Sequence, residues 1–151
     1  MMIRPLAPTD GAAISALLPD LGYEATAEQV VRRLAGLREW PDQDAFVAVV
    51  DGAIAGLCHV QGVRLLASEG YVEIQALVVS GARQGQGIGR QLVAHACEWA
   101  FERGYERVRL RSGVQRDGAH AFYEHIGFEK AKASHAFELR RQASPAPMAA
   151  R

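Results

Sequence analysis

Seven consecutive residues, Gln84-Gly85-Gln86-Gly87-Ile88-Gly89-Arg90, place glycine at alternate positions. An apolar, β-branched run, Tyr71 to Val79, precedes them and reads as a strand. A helical pattern follows. Ile88, Leu92, Ala96 and Ala100 share one stripe, widened by Val93 and Cys97, while Arg90, His95, Glu98 and Glu102 fall opposite. A strand that feeds a glycine loop into a helix start makes an anion site. The first-turn N–H groups have no intrahelical partner, and the helix dipole adds partial positive charge. Glycine also removes the Cβ atoms that would hold a phosphate away from those amides. The spacing excludes two common phosphate loops. No Gly-Lys-Ser/Thr ending is present, and Arg90 stands where a dinucleotide fingerprint needs its third glycine.

The rest of the chain limits which anions make sense. It has 151 residues, enough for one domain with its own core. Hydrophobic residues make up 49% and charged residues 23%, and the formal net charge is zero. A general nucleic-acid or membrane-surface binder needs a basic surplus, so neither partner is expected. No apolar run is long enough to span a bilayer and no signal pattern opens the chain, which points to the cytoplasm. Cys58 and Cys97 lack metal-site or disulfide spacing, so they read as small core residues and no metal is expected.

Taken in order, Met2 to Leu6 reads as an opening strand, and Thr9 or Asp10 can cap a helix that Pro19 stops. Thr26 with Gln29 makes a capping box for a second helix with Val30, Val31, Leu34 and Leu37 inward. Ala45–Val50 and Ile54–Val63 flank an Asp51-Gly52 hairpin turn. The long helix stops at Gly104, and Arg107–Arg111 alternates as a strand with one wet face. A loop over Ser112–Asp117 leads to a short helix ending at Gly127. Strands are then expected at Phe128–Lys130 and His135–Leu139. Residues 143–151 carry two prolines among alanines and read as a disordered tail behind a domain of residues 1–142. Hairpins mixed with helical crossovers imply an α/β (α+β) protein whose mixed sheet is covered on both faces.

The loop and its surroundings resemble the acetyl-CoA loop of the GNAT N-acetyltransferase superfamily, with Val78-Val79 before a Gln-x-x-Gly-x-Gly pattern. Gly81 stands where that family usually has proline, and Gln84 where it usually has arginine, although glutamine is a common variant; Arg83 is adjacent. The family's second motif is matched one strand downstream by Ala119-x-x-Phe122-Tyr123-x-x-x-Gly127-Phe128. Across residues 1–140 the resemblance implies the GNAT fold, with six or seven strands and four flanking helices. It also implies acetyl-CoA as cosubstrate. Leu77, Val78 and Val79 would run alongside its pantetheine arm, and Gln84, Gly85, Gln86, Gly87, Ile88, Gly89 and Arg90 would bind its diphosphate.

Acetyl transfer to an amine needs a base and an acid. Taking the proton from a lysine-like amine of pKa about 10.4 costs roughly 4–5 kcal/mol at pH 7, comparable to the 10²–10⁴-fold a positioned base typically supplies. Glu73 is a charged residue inside an apolar strand, and the family often carries a base at this place. Strict alternation puts it on one face with Gln75, Leu77 and Val79, unless a bulge breaks the phase. The alternative is a solvated glutamate on an open face; Glu69 and Glu24 are other candidates. Tyr123 matches the family's thiolate-protonating tyrosine, against the alternative of a core aromatic. His120 is a second candidate acid or a CoA contact. Cys58-His59 lacks a third orienting group for nucleophilic catalysis. Arg83, Arg90 and Arg116 are candidates for the CoA phosphates. The expected acceptor is a small-molecule or peptide amine, for which Tyr23, Glu24 and Glu28 could form a cation-friendly side. A non-catalytic acyl-CoA-binding module and a longer acyl donor remain open alternatives, and a homodimer is compatible with the fold.

Overall fold

The computed structural model describes residues 1–111 and 117–141. The expected loop through Ser112–Asp117, including Arg116, and the expected tail at 143–151 therefore lie wholly or largely outside the described residues. The chain divides into two units, Met1–Arg111 and Ser112–Arg151.

The first unit opens with β1 (Met2–Pro5), a 3₁₀ turn at Pro8–Asp10, α1 (Gly11–Leu17), a second 3₁₀ turn at Leu18–Leu21 and α2 (Ala27–Leu37). Strands β2 (Gln43–Val50), β3 (Ala53–Val63) and β4 (Tyr71–Val79) follow, then a 3₁₀ turn at Gly81–Arg83, α3 (Ile88–Glu102) and β5 (Val108–Leu110). The strands form one sheet in the order β1-β2-β3-β4-β5. β1 to β4 pair antiparallel, and β5 runs parallel to β4. The sheet is mixed because a hairpin needs only the Asp51-Gly52 turn, where both residues take positive φ, whereas β5 can reach β4 only through the α3 crossover.

Each face of the sheet has its own cover. Val47, Leu57 and Val78 pack with Ile14 and Leu17 of α1 and with Val30 and Leu34 of α2. On the other face Phe46 meets the edges of His95 and Trp99 of α3, with centroids 4.5 and 6.4 Å away. Gly56 is what lets α3 approach closely. A Cβ there would stand 2.9 Å from Leu92 Cδ1 and 3.2 Å from Ile88 Cγ2, and both side chains are buried. The first turn of α3 is thereby held against the sheet beside the end of β4. His95, expected on the outer side of the helix, instead packs on Phe46.

Two carboxylates pin this frame. Asp10 is buried and accepts two hydrogen bonds from Arg4 (2.7 and 3.0 Å) and one from the Ala7 amide (2.7 Å), tying the first turn to β1. Asp10 does not cap α1 through its side chain, contrary to expectation. Asp42 accepts from the Tyr105 hydroxyl at 2.6 Å and from Arg64 at 2.8 Å, which ties the end of the α3 crossover to the start of β2. The Thr26–Gln29 capping box forms as the sequence implies, at 3.1 and 3.0 Å.

In the second unit α4 spans Asp117–His125. No strand is assigned at Phe128–Lys130 or His135–Leu139, and Phe137 and Leu139 are exposed. The described residues thus contain five strands rather than six or seven. The overestimate came from treating alternation as sufficient. An alternating segment becomes a strand only when a neighbour takes up its backbone groups.

The Arg4 guanidinium holds the Asp10 carboxyl below the usual carboxylate range. Its folded pKa is thus depressed, so its contribution is complete above about pH 3.9, the unfolded value, and is lost as pH falls through the folded one. Asp10→Asn is expected to destabilise the protein by about 1–3 kcal/mol at pH 7, with a gap that narrows below pH 4. Thermal unfolding across pH 2.5–7 measures this. An equal gap at pH 7 and pH 3 would show that the charge is not what Asp10 contributes.

Candidate active site

β4 carries the features that define the site. Ala76 pairs with His59 and Ile74 pairs with Val60, so Gln75 is an extra residue with no partner on β3. This β-bulge shifts the alternation. Glu73 therefore shares a face with Gln75, Ala76 and Val78, not with Leu77 and Val79 as strict alternation predicts. The alternation fails because a bulge adds one residue to one strand only.

The face that carries Glu73 changes character along the strands. Val47, Leu57 and Val78 form an apolar row under α1 and α2. One step along comes Ala45, His59 and Ala76, and the next row is Gln43, Gln61, Glu73 and Arg109. Hydrogen bonds connect the polar part. Gln75 Nε2 donates to Gln61 Oε1 at 2.8 Å and to Glu73 Oε2 at 3.1 Å. Arg111 Nε donates to Glu73 Oε1 at 2.9 Å. The Glu73 side chain is only 14% exposed, against 69% for Arg111. His59 Nε2 lies 3.3 Å from Gln43 Oε1, and burial pushes its imidazole below the ordinary value, against the pull of Asp44. His59 is thus uncharged at neutral pH.

The second feature is an open edge. β5 pairs only with Val72, Glu73 and Ile74. From Gln75 to Val79, no strand among the described residues pairs with that side of β4. The Gln84 side chain reaches back to the Val79 carbonyl at 3.4 Å.

The third feature is the glycine loop that follows. Gly85 and Gly87 both have φ of +81°, a conformation that other residues adopt at a cost, and Gly87 is the N-cap of α3. Among the described residues, nothing beyond the chain neighbours lies within 4 Å of where a Cβ would stand at either position. No side chain among the described residues caps α3. Residues 84–87 are exposed while Ile88 is buried, so the loop presents its backbone to solvent from a fixed helix start. The loop thus has the uncapped amides and the open cradle that a bound diphosphate requires. Arg83 pairs with Asp51 at 3.1 Å, and Arg90 is exposed.

Tyr123 and His120 stand on α4, in the second unit. Gly127, at φ +105°, closes that helix; its N–H donates to Glu124 O at 3.1 Å, and the Phe128 N–H donates to Tyr123 O at 2.9 Å. This pair of bonds is the Schellman arrangement, whose usual hydrophobic contact is made by Phe128 on Tyr123 with centroids 6.2 Å apart. Phe122 also meets the Tyr123 ring at a steep angle, with centroids 5.5 Å apart. The spacing Phe-Tyr-x-x-x-Gly-Phe therefore has a local cause: it ends the helix and fixes the tyrosine ring.

Among the sequence candidates, Glu73 joins a connected polar row, and the strand end and glycine loop are contiguous. Glu24 and Glu28 are exposed on or near α2. Sequence reasoning missed Gln43, His59, Gln61, Arg109 and Arg111 as neighbours of Glu73. The wet face of the Arg107–Arg111 strand was the available signal, but only the register places it beside Glu73.

The model of the acetyltransferase (GNAT) family matches residues 13–128. A solved structure, a putative acetyltransferase from Agrobacterium tumefaciens, superposes with a TM-score of 0.80 at 30% identity, covering 93% of this chain and 100% of that one. The aminoalkylphosphonate N-acetyltransferase of Salmonella typhimurium is 34% identical over 112 residues, 74% of this chain and 70% of its own length. An uncharacterised N-acetyltransferase from Methanocaldococcus jannaschii is 35% identical over 92 residues; the match spans 59% of this chain and 41% of that longer relative. This chain belongs to the GNAT family of acetyltransferases, and its fold and enzyme class are those of an acyltransferase of that type. No helix among the described residues is long and apolar enough to cross a membrane.

Cys58 is fully buried between β3 and α3, and burial pushes its thiol up to about 12. It is therefore unsuited to act as a nucleophile at neutral pH. Titration of the native protein with a thiol reagent is expected to modify at most Cys97, with Cys58 reacting only after denaturation. Rapid native modification of both would contradict this burial.

Proposed function

We propose that this protein transfers the acetyl group of acetyl-CoA to a primary amine by direct attack within a ternary complex. The observation that carries the proposal is the contiguity of three parts: an uncapped helix start behind a glycine cradle, a strand edge left open beyond Ile74, and a half-buried glutamate at the border of that opening. Acetyl-CoA supplies the acyl group as an activated thioester. The backbone N–H groups of Gln84 to Arg90 hold its diphosphate, and the free edge of Leu77, Val78 and Val79 aligns the pantetheine arm as an added strand would.

Glu73 receives the amine proton, directly or through a water. The amine nitrogen then forms a bond to the thioester carbonyl carbon, and the C–S bond breaks. Tyr123 gives its hydroxyl proton to the departing thiolate. The acylated nitrogen gives up its second proton, which restores the Tyr123 hydroxyl, and Glu73 releases its proton to solvent; the products are an N-acetyl amine, CoA and one proton. The acceptor approaches from the face that carries Gln61, Glu73 and Gln75, because the other face is covered by α3. Arg111 and Gln75 occupy one lone-pair direction on each Glu73 oxygen, which leaves acceptor capacity on both. The same two bonds favour a second reading, an acyl-CoA-binding module without transfer, in which Glu73 serves only as an anchor for Arg111. Small-molecule and peptide amines both fit the transfer reading, and a cytosolic location accords with it.

The two readings separate in kinetics. Glu73→Gln and Tyr123→Phe are each expected to lower kcat at least tenfold while CoA affinity changes by less than about threefold. Steady-state release of CoA over a panel of amines, with calorimetric CoA titration of each variant, measures both. CoA binding with no turnover on any amine would support the binding module. Turnover unchanged in both variants would remove the assigned roles.

A further inference from the structure

We propose that the acceptor is an amine that also carries an anionic group, a carboxylate, phosphonate or phosphate, and that Arg109 is the residue that receives this group. The inference rests on the transfer reading above and specifies its second substrate. It comes from a charge imbalance around Glu73. Arg107, Arg109 and Arg111 alternate along β5 and the residues on either side of it, so all three project to the face that carries Tyr71 and Glu73. Glu73 stands directly opposite Arg109 in the parallel register.

The three arginines are not equivalent. Arg111 is paired with Glu73. Arg107 donates to the Glu69 carbonyl, and its guanidinium lies 5.6 Å from the Tyr71 ring centroid. Arg109 is different. Its guanidinium lies over the Tyr71 ring at 4.6 Å, it is half-buried, and no carboxylate among the described residues pairs with it. Tyr71 is itself buried and paired with Val63, so the ring is a fixed platform. A guanidinium seated over an aromatic face spends none of its N–H donors on a carboxylate, which leaves them for a planar or tetrahedral oxyanion. Around Tyr71 and Glu73 the sheet face thus carries one strand carboxylate, already paired with Arg111, and two further guanidiniums.

A purely cationic acceptor is disfavoured at such a place. A polyamine would bring positive charge to a surface already in cationic surplus. A zwitterionic acceptor places its amine at Glu73 and its anion at Arg109, one residue position across the sheet. Glu73 and Arg109 occupy paired positions on neighbouring strands, so one small acceptor can address both. The acidic side chains Glu24 and Glu28, a cation-friendly feature in the sequence alone, are exposed and make no hydrogen bond or ion pair with this row among the described residues.

Matched amines test the proposal. Kinetics with acetyl-CoA would compare 2-aminoethylphosphonate and β-alanine with the uncharged-tail propylamine and with 1,4-diaminobutane. The anionic amines are expected to show kcat/KM at least tenfold above both others. Arg109→Gln should bring the ratio of anionic to uncharged substrate close to one, through KM for the anionic amine, and Arg109→Lys should leave an intermediate ratio. Thermal unfolding confirms that both variants fold. Calorimetric titration of each amine into the CoA-saturated protein gives a readout that needs no turnover. Preferential binding of the anionic amines, lost in Arg109→Gln, supports the proposal even if no acetyl transfer occurs, in which case only the transfer reading fails. Equal binding of all four amines, a preference for the diamine, or a preference that survives Arg109→Gln would overturn it.

Discussion

A β-strand has two edges, and among the described residues β4 is paired on both only as far as Ile74. The edge facing β5 runs out of partners at Gln75, at the same residue where a bulge resets the strand's alternation. A backbone edge left without partners inside a packed sheet is costly in isolation and is also an aggregation hazard. Its retention makes sense where another extended chain is to lie along it. The bulge, the short β5 and the glycine loop are each local departures from regularity. Together they make one continuous open surface from the middle of β4 to the first turn of α3.

The rest of the first unit keeps that surface in place. Gly56 lets Ile88 and Leu92 reach the sheet, which sets the distance between the strand end and the helix start. Asp42 and Tyr105 fix the far end of the same crossover. Asp10 and Arg4 anchor the helical layer over the other face, and that layer stops short of the Gln43–Gln61–Glu73 row. The polar row is therefore a consequence of where α1 and α2 end. Its residues stay polar because no helix of the first unit covers them, and they bond to one another.

Much of this was legible in the sequence. The Thr26–Gln29 box, the Asp51-Gly52 turn, the limits of β4 and the glycine loop all rest on local rules, and the structure follows them. Glu73 stood out because charge is rare inside an apolar strand. Other features depend on non-local pairing, which one strand's sequence does not encode. The bulge at Gln75 is set by what β3 offers across the sheet, and it overrode the simple alternation. The partnership of Glu73 with Arg111 and Arg109 needs the parallel register of β5. The expected final strands at residues 128–130 and 135–139 had the pattern of strands, yet the described backbone there pairs with no strand. The Phe122–Phe128 motif, noticed first as a resemblance, turned out to have a local explanation in the helix cap at Gly127.

The central claim is that the open edge of β4 and the first amides of α3 receive one ligand together. Amide hydrogen exchange of the whole protein, with and without CoA, tests it most directly. The account predicts that CoA slows exchange in peptides covering Gln75–Val79 and in those covering Gly85–Arg90, and does so in parallel as ligand is titrated. Saturating CoA with no change in either segment, or with protection confined to other parts of the chain, would contradict it.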